Sequence, residues 1–372
     1  MNLDFNEQQK ILSDSAQEFL SKECPKELMR QRRDSSTEFN RELWKKMADL
    51  GWMGVAIDED YGGSGGNFAD LAVLLEAMGE ACLPAPFFST AVIAATALQF
   101  SNTESTKTDL LPKIADGSLI FSYALIEPGN SYSIDNIKAL AKKEGQGFSV
   151  SGTKLFVEYA QAADYFLTTA KLENNELVVL VIKADSAGIK IDPFGTLDFA
   201  GQCEVRMQNI KVPESSVLAI GDEALAMLQQ IELVSAAGKC VEILGCIQAV
   251  LDMSVTYVAG REQFGQIIGS FQSVQHHCAN MAVEVDSTRY ITRQAVWRIA
   301  QGLPANKEVA MAKSYASSAA VRVGKLGHQT HGAISFCDEL DMHLYLRRAH
   351  AASIAFGDTE YYLEKVAVEI GL

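Results

Sequence analysis

Residues 221–260 read GDEALAMLQQIELVSAAGKCVEILGCIQAVLDMSVTYVAG and are the most informative segment for the fold. It is rich in alanine and carries an apolar stripe at helical spacing, which predicts one long helix. Further helical segments follow it to the C-terminus, separated by short stretches that contain Gly or Pro. Four long helices in series with short connections predict a four-helix bundle over residues 222–372.

The chain before this bundle divides into two parts of different character. Residues 1–115 carry apolar residues at helical spacing, among them Ile11, Phe19 and Leu20. Residues 116–215 contain short segments rich in β-branched and aromatic residues, bounded by Gly, Pro, Asn or Asp, which predict antiparallel strands. Because no helical segment alternates with these strands, a doubly wound sheet is excluded. The fold class is therefore α+β, in the order helical, β, helical.

Charge and cysteine content limit the possible functions. The 372-residue chain has a formal net charge of -15, and an acidic surface repels the phosphates of nucleic acids. Seven cysteines without a CxxC pair indicate free thiols in a reducing compartment, so we expect a cytoplasmic protein. We find neither a signal peptide at the start of the sequence nor an apolar run of about 18 residues, and expect no membrane span.

Motifs taken one at a time are not decisive. The histidine pairs 276/277 and 328/331 lack the spacing of a metal site, and hydrogen-bonding or core histidines are the simpler interpretation. In GREQFG, residues 260–265, Arg261 and Phe264 lie three residues apart near a helix end. Arg261 could bind a pyrophosphate and Phe264 could pack on a ring system. The alternative, favoured by composition, is a surface ion pair beside an aromatic core residue.

Several motifs in order carry a resemblance to a known family. They are YGGSGGNFAD, ALIEPG, SGTKLFVEYAQAADYF, GREQFGQIIGSFQSVQ and HQTHGAISF followed by DMHLYLRRA. Over essentially its whole length the chain resembles the acyl-CoA dehydrogenase family. The resemblance implies an N-terminal helical bundle, a central antiparallel β-barrel-like domain and a C-terminal four-helix bundle. It also implies FAD as cofactor, an acyl-CoA substrate that is desaturated between its α and β carbons, and an electron-transfer flavoprotein as electron acceptor.

The resemblance implies a flavin at a subunit interface, where one subunit holds the ring and its neighbour contacts the pyrophosphate and adenosine. The residues of the neighbouring subunit match well, although Ala333 replaces the second Gly of the family's Gln-x-x-Gly-Gly element. The cofactor-binding residues carried over are Arg261, Phe264, Gln272, Gln329 and Gly332.

The residues around the flavin ring match poorly. Ile126 stands where the family has a Thr whose hydroxyl bonds the ring, and Tyr132 stands at the usual Ser. Phe156 replaces a stacking Trp, and Glu158 replaces the Thr that contacts N5 of the ring. An Ile cannot donate a hydrogen bond, and the charge of Glu158 would oppose hydride transfer to the ring.

The catalytic base of the family is also missing from its usual places. In the C-terminal segment IAFGDTEYYLEK, Phe356 occupies the position of the acid. The alternative position on the long helix is Ser235. Glu232 and Glu242 lie near the same helix face and are candidates for a relocated base. The other interpretation is that both are structural or solvated acids.

With these departures, the chain resembles the small subunit of bacterial heterotetrameric acyl-CoA dehydrogenases. We therefore expect an α2β2 assembly in which a paralogous large subunit seats the flavin and supplies the base. The resemblance implies a bulky acyl group that is alicyclic, aromatic or dicarboxylic. Two alternatives stay open: a self-sufficient homotetramer with a relocated base, and a flavin-free paralogue that serves as a scaffold or binds acyl-CoA.

Overall fold

The computed structural model describes residues 2–34, 39–129 and 134–372. Tyr132, one of the departures named above, lies outside the described residues. The chain forms two compact units, and the division falls inside the long helix, after Ser235. The first unit comprises Met1–Met29, Phe68–Leu83 and Ala236–Leu372. The second comprises Arg30–Asn67 and Pro84–Ser235. The three domains expected at 1–115, 116–215 and 222–372 stay a prediction.

Helices occupy both ends of the sequence and strands the middle. The helices are α1 (Glu7–Glu23), α2 (Glu27–Asp34), α3 (Arg41–Asp49), α4 (Phe68–Ala81), α5 (Ala95–Phe100), α6 (Glu104–Ala115), α7 (Asp222–Gly260), α8 (Gln272–Ala300), α9 (Asn306–His331), α10 (Met342–Ile354) and α11 (Thr359–Glu369). The strands are β1 (Phe121–Ala124), β2 (Leu140–Glu144), β3 (Gly147–Glu158), β4 (Tyr165–Lys171), β5 (Leu177–Lys183), β6 (Ile189–Phe194), β7 (Gln202–Pro213), β8 (Val217–Ile220), β9 (Glu262–Gln263) and β10 (Gln266–Ile267). The predicted α+β class is confirmed.

The first unit is a layered packing of long helices. Helix α4 packs on α1 and α8, and α9 packs on α8, α10 and α11. Helices α4 and α7 approach so closely that a Cβ on Gly79 would lie 2.4 Å from the carbonyl oxygen of Glu242. A Cβ on Gly245 would likewise lie 2.1 Å from the carbonyl oxygen of Glu76. Glycine is therefore required on both helices where they cross.

Helix α7 is the predicted long helix, and it is apolar around its circumference. By length and composition it could cross a membrane, but 83% of its most apolar stretch is buried within the protein. Packing on all sides explains this composition, since a helix that is apolar all round is a core helix when it is surrounded by protein.

The C-terminal region has one helix more than predicted. Residues 222–372, all of which are described, form five helices, α7 to α11, instead of four. The last predicted helix is interrupted at Phe356 and Gly357, which have φ angles of 56° and 109°. Such angles cannot continue a right-handed helix, and glycine adopts them at little cost.

The second unit contains a mixed, open sheet with the strand order β6-β7-β3-β2-β4-β5-β8. The expected purely antiparallel, barrel-like sheet is corrected in two respects. Strand β1 pairs with β4 in parallel, and β2 makes one parallel contact with β4. The path of described strands runs from β6 to β8 without closing. Parallel pairing needs a long connection between the strands, and residues 125–164 between β1 and β4 supply it.

Candidate flavin site

A short hairpin after α7 presents two of the residues carried over from the family. Arg261 follows the helix end directly, and its N–H donates to the carbonyl oxygen of Tyr257. Strands β9 and β10 then pair in an antiparallel manner around Phe264 and Gly265. Both residues have positive φ angles, 53° and 78°, as a two-residue hairpin turn requires. The side chains of this hairpin are therefore held on a defined backbone.

Phe264 is at the tip of that hairpin with 93% of its surface exposed. Its nearest ring is Phe271, edge-to-face at 6.2 Å between centroids. Arg261 is also exposed, and among the described residues no carboxylate pairs with it. The interpretation as a surface ion pair with a core aromatic is therefore wrong for this segment.

Gln272, Gln329 and Gly332 lie in the same unit and are exposed. Gln272 begins α8, and Gln329 is in the last turn of α9. Gly332 follows α9 with φ 67° and ψ -146°, a combination that is essentially restricted to glycine. The ring of His331 lies 4.5 Å from the ring of Tyr257, between centroids. The end of α9 therefore lies beside the end of α7, which carries Arg261.

This half of the site fits the ADP part of FAD. A guanidinium forms two parallel hydrogen bonds with a phosphate group, and no ion-pair partner competes for Arg261 in the part of the chain that the structure describes. The side-chain amides of Gln272 and Gln329 can donate to ligand oxygens. No described atom lies within 4 Å of a Cβ placed on Gly332, so a ligand can approach its backbone.

Ile126 is held rigidly in the second unit, at the start of the segment that the family uses for the flavin ring. Its carbonyl oxygen accepts from the N–H of Leu155 at 2.8 Å. Next to it, Glu127 forms a buried ion pair with Lys154, at 2.7 Å between Oε1 and Nζ. Glu127 also accepts the N–H groups of Lys138 and Ala139. Burial lowers the pKa of Lys154 to about 8, against the opposing effect of Glu127.

Phe156 and Glu158 lie at the end of β3, close along the chain to this ion pair. Phe156 has φ 56° where the register of β3 against β7 shifts, and 47% of its surface is exposed. Its ring meets Phe194 edge-to-face at 5.5 Å. The carbonyl oxygen of Glu158 accepts the hydroxyl of Ser122. With Ile126 unable to donate and a carboxylate on Glu158, this half does not fit a ring that accepts hydride.

Asp358, the acid nearest to Phe356, has a structural role. Asp358 caps α11, with Oδ1 accepting from the N–H of Tyr361 at 2.9 Å. The carbonyl oxygen of Phe356 accepts the hydroxyl of Tyr362. The buried Lys313 donates to the carbonyl oxygens of Ser353 and Gly357. The segment is fixed by these contacts, and the partly buried Phe356 offers no proton acceptor in its side chain.

Glu242 is a buried ion-pair partner in the first unit. It accepts from Nζ of Lys239 at 2.7 Å and from Nε of Arg348. Burial by itself raises the pKa of Glu242, but the charges of Arg348 and Lys239 outweigh it and lower the pKa to about 2. A carboxyl group of such low pKa is a poor proton acceptor. This environment favours a structural role.

Glu232 has different surroundings, in the second unit. Burial and then the negative charge of Glu232 raise the pKa of Tyr123, which places this carboxylate near β1. Tyr123 lies three residues before Ile126. One turn after Glu232, Ser235 is fully buried, and within the described residues its hydroxyl has no hydrogen-bond partner. The proximity of Glu232 to Tyr123 could not be predicted from sequence, because the two residues are far apart in the chain.

The order of a helical segment, a mixed sheet and a second helical region, with Arg261 and Phe264 exposed after the long helix, is typical of a class of flavoprotein oxidoreductases. Family models for the N-terminal, middle and C-terminal domains of acyl-CoA dehydrogenases match residues 6–118, 122–210 and 233–371. The chain belongs to the acyl-CoA dehydrogenase family. The family is FAD-dependent and acts on CH–CH bonds.

Relatives match over almost the full length. The probable acyl-CoA dehydrogenase YngJ of Bacillus subtilis is 29% identical over 372 residues, covering 97% of each chain. In the ChsE4–ChsE5 complex from Mycobacterium tuberculosis, a chain superposes with a TM-score of 0.91 and 26% identity, covering 100% of this chain and 99% of that one. Butyryl-CoA dehydrogenase of Megasphaera elsdenii shares the fold, with a TM-score of 0.93, 22% identity and full coverage of both chains.

Proposed function

We propose that this chain is one subunit of a heteromeric FAD-dependent acyl-CoA dehydrogenase that desaturates an acyl-CoA thioester. It contributes Arg261, Phe264, Gln272, Gln329 and Gly332 to a flavin that is seated in a paralogous large subunit. The observation that carries the proposal is the asymmetry between two sets of residues. The exposed set is intact, whereas the ring set and the base are replaced by Ile126, Glu158 and Phe356.

The chemistry divides between the two subunits. When bound, FAD supplies the acceptor for the hydride that leaves the β carbon of the substrate. The large subunit supplies the carboxylate that removes the α proton. Arg261 of this chain neutralises pyrophosphate charge, and Phe264 covers part of the cofactor against water.

Partner and substrate are further parts of the proposal. The ChsE4–ChsE5 structure is a complex of two differently named proteins, which supports an α2β2 assembly for this chain. We propose an electron-transfer flavoprotein as electron acceptor and a bulky alicyclic, aromatic or dicarboxylic acyl group as substrate. A cytoplasmic location is proposed from the free cysteines.

The substitution Arg261→Ala tests the assignment in the complex. The chain is expressed alone and with its neighbouring paralogue, and flavin absorbance and native mass are recorded. We expect the mutant complex to bind FAD about 30-fold more weakly, because a charge-assisted contact is lost. Arg206→Ala is the control, since Arg206 makes ion pairs on the surface of the sheet. Unchanged FAD affinity in the Arg261 variant would refute the assignment.

A self-sufficient homotetramer is the second candidate, and the environment of Glu232 favours it. Its carboxylate lies near Tyr123, in the unit that also contains Ile126. In that case the chain alone is yellow and active, and Glu232→Gln abolishes activity while FAD stays bound. If neither the chain nor its complex contains flavin, the third candidate applies, a scaffold or acyl-CoA-binding paralogue.

A further inference from the structure

The turn after α9, residues Gly332–Phe336, is tied to a buried histidine of that helix. Nδ1 of His328 lies 2.7 Å from Oγ of Ser335. Oγ of Ser335 in turn donates to the carbonyl oxygen of Gly332 at 2.7 Å. The imidazole of His328 stacks on Phe336, with 4.6 Å between ring centroids. His328 therefore makes both a polar contact, with Ser335, and an apolar contact, with Phe336, to this turn.

The hydrogen-bond directions follow from the number of protons. Ser335 has one hydroxyl proton, and the carbonyl oxygen of Gly332 takes it. Its oxygen must then accept from Nδ1–H of His328, so in the neutral ring the lone pair is on Nε2. Burial and the neighbouring His331 and His343 lower the pKa of His328, in agreement with a neutral ring.

Both backbone polar groups of Gly332 are fixed through this network. Its N–H donates to the carbonyl oxygen of His328, and its carbonyl oxygen accepts from Ser335. These two bonds hold the φ and ψ angles that are open to glycine but not to other residues. The first bond is made by the backbone alone, whereas the second needs the hydroxyl of Ser335, which His328 orients, so the carbonyl group of Gly332 is the part held by the two side chains.

The arrangement also leaves a polar atom without a partner. Only 7% of the surface of His328 is exposed. Its Nε2 is buried and makes no hydrogen bond within the described residues. A buried acceptor without a donor lowers stability, and an apolar residue would avoid this loss. Local features that lower stability are expected at functional sites.

We propose that His328 and Ser335 are positioning residues that shape the Gly332 turn for the ADP part of FAD. This inference rests on the proposed function, in which Gly332 contacts the flavin. It extends that function to two residues that do not themselves touch the cofactor. His331 serves as a comparison, because its Nδ1 bonds to the carbonyl oxygen of Gly327 inside the helix and makes no contact with Ser335.

The first test measures the turn in the chain without cofactor. Hydrogen exchange followed by mass spectrometry reports the amides of residues 333–337, including Cys337, whose N–H bonds to Ile334. We expect Ser335→Ala and His328→Ala to accelerate exchange there by about tenfold, since the turn loses its fixed carbonyl. In His328→Asn the amide nitrogen takes the place of Nδ1, so exchange stays near wild type. His331→Asn is the matched control.

The second test measures FAD binding in whichever form, alone or with a partner, holds FAD. We expect the two alanine variants to raise the Kd for FAD about tenfold, and His328→Asn and Ser335→Thr to stay within about twofold, because they keep the donor and the hydroxyl. Equal losses in the alanine and conservative variants would overturn the proposal. So would a loosened turn with unchanged Kd.

The two tests separate this inference from the proposed function. If the wild type takes up no FAD in either form, the proposed function and the flavin role of the turn both fail. If the wild type binds FAD and the alanine variants change neither exchange nor Kd, only the positioning role fails. In either case the melting temperature of each variant shows whether it has folded.

Discussion

Glu242 is a single residue that sequence offers as a catalytic base and that the structure places in a buried ion-pair cluster. Its two oxygens are each taken by a different cation, Lys239 and Arg348, and all three side chains are largely withdrawn from water. An ion pair in such a setting stabilises little in itself, but its interruption leaves a charge buried without a partner. The triad therefore makes a strong prediction for substitution.

Glu242→Gln is expected to lower the free energy of unfolding by about 3–5 kcal/mol, because Lys239 and Arg348 lose their counter-charge. Urea denaturation measures the change. Glu18→Gln is the control, since Glu18 pairs with Lys22 on the exposed side of α1 and such pairs contribute little. A loss below about 1 kcal/mol would show that the cluster is solvated or loosely held.

Acid should destabilise the wild type more than this variant. Folding lowers the pKa of Glu242 from 4.5 to about 2, so its contribution is present above pH 4.5 and is lost as the pH falls towards 2. In the Gln variant this part of the acid dependence is absent. Unfolding curves at several pH values between 6 and 2.5 compare the two slopes. Parallel slopes would mean that Glu242 does not titrate abnormally.

Ile126 permits a test by gain of function. Threonine at this position adds a hydroxyl to a rigid segment, and one hydrogen bond to a ligand improves affinity about fivefold. We expect Ile126→Thr to lower the Kd of the isolated chain for added FAD, measured by titration. Ile126→Val, which has nearly the shape of Thr without the hydroxyl, should not. Equal Kd values for the two variants would remove Ile126 from the ring site.

At the scale of elements, the crossing of α4 and α7 depends on glycine. Gly245→Ala places a methyl group 2.1 Å from the carbonyl oxygen of Glu76, so the helices must separate. We expect a loss of about 1–3 kcal/mol in the free energy of unfolding. Gly260→Ala in the same helix has no neighbour within 4 Å and should be neutral or stabilising, since Ala favours helix. Thermal or urea unfolding of both variants measures the change in the free energy of unfolding. If the packing is as described, only Gly245→Ala lowers it.

The long helices were predictable from periodicity, because each has enough length for a repeated pattern. The interruption at Phe356 and Gly357 was not, since it depends on Lys313 binding the carbonyl oxygens of Ser353 and Gly357. The parallel pairing of β1 with β4 likewise depends on contacts between distant segments. A local pattern specifies the state of an element but not its neighbour in space.

The same limit applies to the candidate site. Arg261 and Phe264 form a local motif, and the hairpin that exposes them is encoded in the residues between them. Lys239 is a local partner of Glu242, but Arg348 lies 106 residues from Glu242 along the chain, and Tyr123 is likewise distant from Glu232. The structure was needed to distinguish a buried ion pair from a candidate base.

At the scale of the whole molecule, the replaced ring set predicts the flavin content of the assembly. If every subunit held its own flavin, Ile126 and Glu158 would lie against each ring, where one cannot donate and the other repels the incoming hydride. In the proposed assembly of two chain types this conflict does not arise, because only the large subunit would surround the ring.

The purified complex should therefore contain about one FAD for every two chains, and this chain alone should be colourless. Closed symmetry supports the ratio, since an α2β2 assembly has two equivalent sites of each kind. Flavin absorbance after denaturation, divided by the chain concentration, gives the ratio, and native mass spectrometry gives the subunit count. A homotetramer with one FAD for each chain would contradict the prediction and assign the ring site to this chain. Because the complementary residues are on different chains, Arg261→Ala should lower the FAD content of the complex without altering the subunit count.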